Sequence, residues 1–245
     1  MQGITTELTD SEIKTACDFA ASAYDESIPG ATRYDSKLGT TAFYLFKNDI
    51  QYIIFRGTNG DPADWLMNLS AIPWRVHGKW AHGGFVAAQK SVWKQIRKRL
   101  DPTKKTYCIG HSLGGAVAIL TAHRLVHRHG RSPAFPVGNV RCLTFGRPNV
   151  WLKSKTRLKQ MVNVSVVASS DIVSMVPRLF FSADSNQDII FFGSDGNNYL
   201  NPSKEFRNND RRLKNSISSH MMDSSYIPRV NTCKVEDLLC DKSSL

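Results

Sequence analysis

The stretch Thr106-Tyr-Cys-Ile-Gly-His-Ser-Leu-Gly-Gly-Ala-Val-Ala-Ile-Leu120 decides the fold. Its first residues, Thr106–Ile109, form an apolar run of strand length, and a helical pattern runs from Leu113 to about His129, with Gly130 placed to end it. Between them, Gly110-His111-Ser112-Leu113-Gly114 matches G-x-S-x-G in the strand-to-helix context that the pattern requires. A serine at so tight a turn has strained backbone angles and a hydroxyl pushed clear of the sheet. Its flanks must be nearly free of side chains, which Gly110 and Gly114 satisfy. Gly115 and Ala116 then let the helix pack close to its strand.

The same alternation extends outward. Thr9-Asp-Ser-Glu12 reads as a capping box that opens a helix over about 10–24. Thr41–Phe46 and Gln51–Phe55 read as strands of a hairpin turning at Lys47–Asp49, and Gly84–Leu100 carries a helical stripe. Val140–Phe145, Asn163–Ala168 and Ile189–Phe192 read as further strands, whereas 197–219 gives no clear pattern. Strands alternating with helices predict an α/β fold with a mostly parallel central sheet flanked by helices. No repeat or low-complexity linker interrupts the chain, so one domain over 1–245 is expected, with 229–245 as a C-terminal extension.

The 245 residues carry 32 Lys and Arg against 21 Asp and Glu, a net charge of +11. The basic residues are spread out and not interleaved with stacking aromatics, which argues against nucleic-acid binding and leaves an anionic membrane surface as a possible attractor. The five cysteines show no C-x-x-C spacing, so neither zinc nor a dense disulfide framework is expected. No clustered metal-ligand spacing and no cofactor motif is present, so none is expected. The start MQGITTELTDSEIK lacks the pattern of a signal peptide, and no apolar run has membrane-spanning length; the expectation is a cytoplasmic protein or leaderless export.

Ser112 needs a base, usually a histidine oriented by a carboxylate, and in this fold type the chain order is serine, acid, histidine. Of the seven histidines, His77, His82 and His111 precede Ser112, and His123, His127 and His129 lie on or beside the helix that leaves it. His220 remains as the base. The candidate acids are Asp171, Asp184, Asp188, Asp195, Glu205 and Asp210. Asp171 is favoured because it directly follows an apolar strand, at the sheet edge where catalytic groups gather.

Together with this serine motif, the segments Phe55-Arg-Gly-Thr58, Asp64-Trp65, His82-Gly-Gly-Phe85, Thr144-Phe-Gly-Arg-Pro148, Asp171-Ile-Val-Ser-Met-Val-Pro177 and His220 make the chain resemble the class 3 lipases, the fungal-type branch of the α/β-hydrolases. The family-like region is about 41–228. The resemblance implies an α/β-hydrolase fold and carboxylic ester hydrolysis with Ser112, Asp171 and His220 as triad. For the oxyanion hole, the turn geometry offers the Leu113 N–H. The second donor is ambiguous from sequence, since His82-Gly-Gly imitates another esterase motif, and the resemblance points to Thr58. His82 is then expected to make a structural hydrogen bond.

Asp61-Pro62 reads as the start of a short helix whose apolar face carries Trp65, Leu66, Leu69 and Ile72. On its own this reads as a surface helix; the resemblance implies a lid that opens at a lipid–water interface. The expected activity is lipid ester hydrolysis, acylglycerol lipase or phospholipase A-type, on a lipid ester substrate. The alternative is an inactive lipase-like scaffold, which would have no need of an intact triad.

Overall fold

The computed structural model describes residues 8–58, 72–127, 134–153, 161–177, 181–182, 187–211 and 218–240. Helix α1 (Asp10–Ser22) opens with the expected capping box, in which the Thr9 side chain accepts from the Glu12 N–H and the Glu12 carboxylate accepts from the Thr9 N–H. Strands β1 (Thr32–Asp35), β2 (Thr41–Lys47) and β3 (Ile50–Phe55) follow. The β2–β3 turn places Asn48 and Asp49 at φ 52° and 63°, left-handed angles that these residue types tolerate.

Strands β4 (Pro73–Val76) and β5 (Lys79–His82) form a hairpin that the sequence reading overlooked. Its turn is His77-Gly78, both at positive φ, with histidine where asparagine is the usual signal. Helix α2 (Gly83–Ile96) ends before the expected Leu100. Pro102 disfavours helical backbone at Asp101, and the Gln51 side chain exchanges hydrogen bonds with the Asp101 backbone at 2.8 and 2.9 Å, drawing the chain out of the helix.

Next come β6 (Lys105–His111), α3 (Leu113–Val126), β7 (Val140–Phe145), β8 (Trp151–Leu152), β9 (Val162–Ala168), β10 (Phe181–Ser182) and β11 (Asp188–Phe192). The unassigned region 197–219 contains β12 (Asn198–Leu200) and α4 (Lys204–Arg211), and enters a 3-10 turn, Ser218–His220. A π-turn, Met222–Tyr226, leads into α5 (Ile227–Thr232), and β13 (Leu239–Cys240) closes the series.

Nine strands form the main sheet in the order β1-β2-β3-β6-β7-β9-β11-β12-β13. From β3 to β11 every pairing is parallel, and the strands are added in one direction. Right-handed crossovers that step one way keep their helices on one face. Helices α2 and α3 accordingly pack there with Phe85, Val92, Ile96, Val117 and Leu120 in one core cluster. The opposite face is covered by the ends of the chain, where Ile13, Cys17 and Ala20 of α1 and Val230 of α5 join Ile109, Leu143 and Val166 in a second cluster. Cys108 and Cys142 are buried within the sheet. A four-stranded side sheet runs β10-β8-β5-β4.

Candidate active site

Strand β6 delivers Ser112 at the C-terminal edge of the sheet. Ser112 adopts φ 55° and ψ −128°, a conformation that L-residues hold only when their surroundings impose it. Its N–H donates to the Phe145 carbonyl at 3.0 Å, and its own carbonyl accepts from Gly115 N–H at 3.0 Å as α3 begins. A Cβ on Gly110 would lie 2.3 Å from the carbonyl carbon of Gly114, and one on Gly114 would lie 2.1 Å from the Phe55 oxygen. Gly110 is therefore needed where the turn folds back on the start of α3, and Gly114 where it closes against β3. Leu113 is the first helical residue, so its N–H has no acceptor within the helix.

Asp171 lies three residues beyond β9 and is fully buried. Its Oδ1 accepts from the Val173 N–H at 2.8 Å and the Ser174 N–H at 3.3 Å. Its Oδ2 accepts from the Tyr226 hydroxyl at 2.5 Å. The His220 ring donates from Nδ1 toward the same carboxylate, 2.9 Å from Oδ2 and 3.0 Å from Oδ1. A carboxylate only accepts, so Nδ1 carries a proton and turns Nε2 away from the acid. That buried Nε2 has no hydrogen-bond partner among the described residues.

A cavity of about 640 Å³ is lined by Ser112, His220 and Thr58, together with Tyr24, His111, Met221, Met222 and Ile227. Thus Ser112, His220 and Thr58 open on one space, and Asp171 stands behind the histidine. Among the other candidate acids, Asp188 accepts from Asn201, Asp195 from Asn197 and Tyr199, and Asp210 from Ser194. Asp184 lies outside the described residues, as do Trp65, Leu66 and Leu69. Ile72 is described and 67% exposed.

His82 departs from its expected role as a hydrogen-bonded structural residue. It packs as a flat ring against Phe85 and Phe181, at 4.4 and 5.1 Å between centroids, and its buried Nδ1 has no partner among the described residues. Burial holds its pKa below the ordinary imidazole value.

Three contributors to the site escaped the sequence reading. Tyr226 clamps Asp171 from the π-turn that follows His220. Gly146, at φ 54°, clears the space where the acid and base meet; a Cβ there would lie 2.6 Å from Asp171 Oδ2 and 3.0 Å from His220 Cε1. His111, within the serine motif, is the third. Its Nε2 lies 2.6 Å from the His220 carbonyl and its Nδ1 lies 2.7 Å from the Tyr24 hydroxyl. The carbonyl accepts, so Nε2 donates and Nδ1 receives the Tyr24 proton. Burial and the neighbouring His220 push the His111 pKa well below the usual value, which keeps this neutral tautomer. The Tyr24 hydroxyl in turn sits against Gly57, beside Thr58, where a Cβ would lie 2.0 Å from it. One chain of contacts therefore ties the end of β3 to the backbone of His220.

Residues 52–181 match the family model described as lipase (class 3). The lipase of Rhizopus niveus is 33% identical over 131 residues, a stretch covering 49% of this chain and 32% of that protein; the Rhizopus oryzae lipase matches equally. The match thus spans about a third of the length of these relatives. Among solved structures, the triacylglyceride lipase of Rhizomucor miehei superposes with a TM-score of 0.62 at 21% identity, over 74% of this chain and 79% of that one. Lipase II of Rhizopus niveus superposes with a TM-score of 0.58 at 24% identity, over 77% and 84%. These superpositions establish the α/β-hydrolase fold.

Proposed function

The chain belongs to the class 3 lipase family, and on that premise we propose that it hydrolyses carboxylic esters of lipids with Ser112 as nucleophile, His220 as base and Asp171 as the acid that orients it. The observation that carries this reading is the buried His220 ring, bound through Nδ1 to Asp171 and bare at Nε2, on the cavity that Ser112 also lines.

Ser112 Oγ attacks the ester carbonyl carbon while its proton passes to His220 Nε2. Asp171 holds the ring and stabilises the imidazolium that forms. The carbonyl oxygen becomes an oxyanion, and the Leu113 and Thr58 N–H groups are its donors, aided by the N-terminal end of α3. Collapse of the intermediate breaks the bond to the alcohol, which leaves with the proton from His220. Water then attacks the acyl-serine, giving a proton to His220, which passes it to the leaving Ser112 Oγ as the carboxylic acid is released. The substrate is met at a lipid–water interface; the exposed Ile72, Trp74 and Trp80 beside β4–β5 support this, since tryptophan suits such boundaries.

The test is labelling by a fluorophosphonate, followed by peptide mass spectrometry, alongside turnover of 4-nitrophenyl butyrate. The expected result is a single adduct on Ser112 and loss of turnover in Ser112→Ala. A folded protein without adduct or turnover would make the inactive scaffold the correct reading.

A further inference from the structure

The cavity that contains Ser112 has a mouth whose charge opposes that of the whole protein. Asp18 of α1, Asp25 beyond its end and Asp223 of the π-turn all line it, and all three side chains are exposed. No lysine or arginine is among its described lining residues. The nearby Arg56 is engaged by Glu26 at 2.9 Å. Yet the chain as a whole carries +11.

Carboxylates placed around a low-dielectric concavity focus a negative potential into it, whatever the distant surface does. The floor supplies the reason that this potential falls on a ligand: the unpartnered Nε2 of His220, itself 1% exposed, and Ser112 open on the same space. We infer that the rim formed by Asp18, Asp25 and Asp223 selects esters whose polar end bears a cation, such as an ammonium group, and disfavours esters whose polar end is anionic. This rests on the hydrolase reading and adds the substrate class to it. The acidic mouth then acts on which bound ester reaches Ser112, whatever the charge of the distant surface.

Three soluble esters that share an acyl group test this: butyrylcholine, its uncharged isostere 3,3-dimethylbutyl butyrate, and the butyryl ester of glycolate. Within each protein, kcat/KM for the charged esters is divided by that for the neutral one, so that any general loss in a variant cancels. Between wild type and the triple variant Asp18→Asn, Asp25→Asn, Asp223→Asn, the cation ratio should fall about tenfold and the anion ratio rise about tenfold at low salt, as several carboxylates at moderate distance in a water-like medium would produce. In wild type alone, both ratios should move toward those of the variant in 1 M salt, where the Debye length is about 3 Å. That salt series also serves if the triple variant does not fold. Ratios that respond neither to salt nor to substitution overturn the inference while leaving the hydrolase intact. Failure of wild type to turn over the neutral ester overturns the hydrolase reading itself.

Discussion

At its N-terminal end, helix α3 starts from Ser112 above a cavity of about 640 Å³ rimmed by Asp18, Asp25 and Asp223. At its C-terminal end, about 20 Å away by helical rise, Arg124 lies in a cleft of about 270 Å³ lined also by Arg75 and Lys90, with no acidic residue among the described lining. There the Arg124 guanidinium packs 4.6 Å from the centre of the Trp93 ring and donates to Gln89 Oε1 at 3.0 Å. Burial and the nearby Arg97 lower its pKa. Each end complements the helix dipole, whose positive end favours carboxylates and a developing oxyanion and whose negative end favours cations. The net charge of +11 thus matches the basic end and is the opposite of the acidic one. A single helix separates an acidic end, which holds Ser112, from a basic one.

The sharpest break in that contrast comes from Asp171→Asn. It removes the acceptor that fixes the His220 tautomer, and turnover of 4-nitrophenyl butyrate should fall by about 10⁴ with unchanged circular dichroism. A loss of only a few-fold would move the acid elsewhere. Gly114→Ala attacks the backbone of the same end. A methyl 2.1 Å from the Phe55 oxygen meets main chain that cannot yield. We expect a loss of about 3–5 kcal/mol in urea unfolding, beyond the usual range for a point substitution; a change under ~1 kcal/mol would show that the turn can relax.

His111→Gln makes a smaller change, visible in its pH dependence. The pKa of folded His111 is depressed below 6.5, so between the two values the unfolded chain binds more protons. Stability is therefore full above about pH 6.5 and declines as the pH falls below it, by at most about 1.4 kcal/mol per pH unit for one proton. Melting temperatures from pH 7.5 to 5.5 should fall less steeply in the variant; parallel curves would mean that His111 titrates normally. The smallest effect belongs to the basic end. Arg124→Gln should change turnover of a soluble ester by less than about twofold, because screening leaves little coupling across this distance. A larger effect would join the two ends functionally.

Much of this site was legible in the chain because its signals are local. A strand, a tight turn and a helix are consecutive, so the glycines around Ser112 could be read as steric necessities, and 2.1 and 2.3 Å approaches to main chain bear out that reason. His220 followed from chain order, and Asp171 from its place after an apolar run. The His82 role misled because a ring can be buried by tilted packing against Phe85 and Phe181 as readily as by hydrogen bonding. The β4–β5 hairpin was overlooked because its turn uses His77 at φ 51° in place of the usual residue.

The sequence by itself determined the alternating α/β architecture and singled out Ser112, Asp171 and His220 as the candidate serine, acid and histidine, since periodicity and order along the chain carry both. Only the tertiary structure decided what surrounds them. Tyr226 reaches Asp171, Tyr24 reaches His111, and Asp18, Asp25 and Asp223 meet at one mouth because α1 and the segment after His220 cover the same face of the sheet from opposite ends of the chain. No spacing records such a meeting. It is set by which layer each element must occupy to bury its apolar face, and the charges on the remaining faces are carried into place with it.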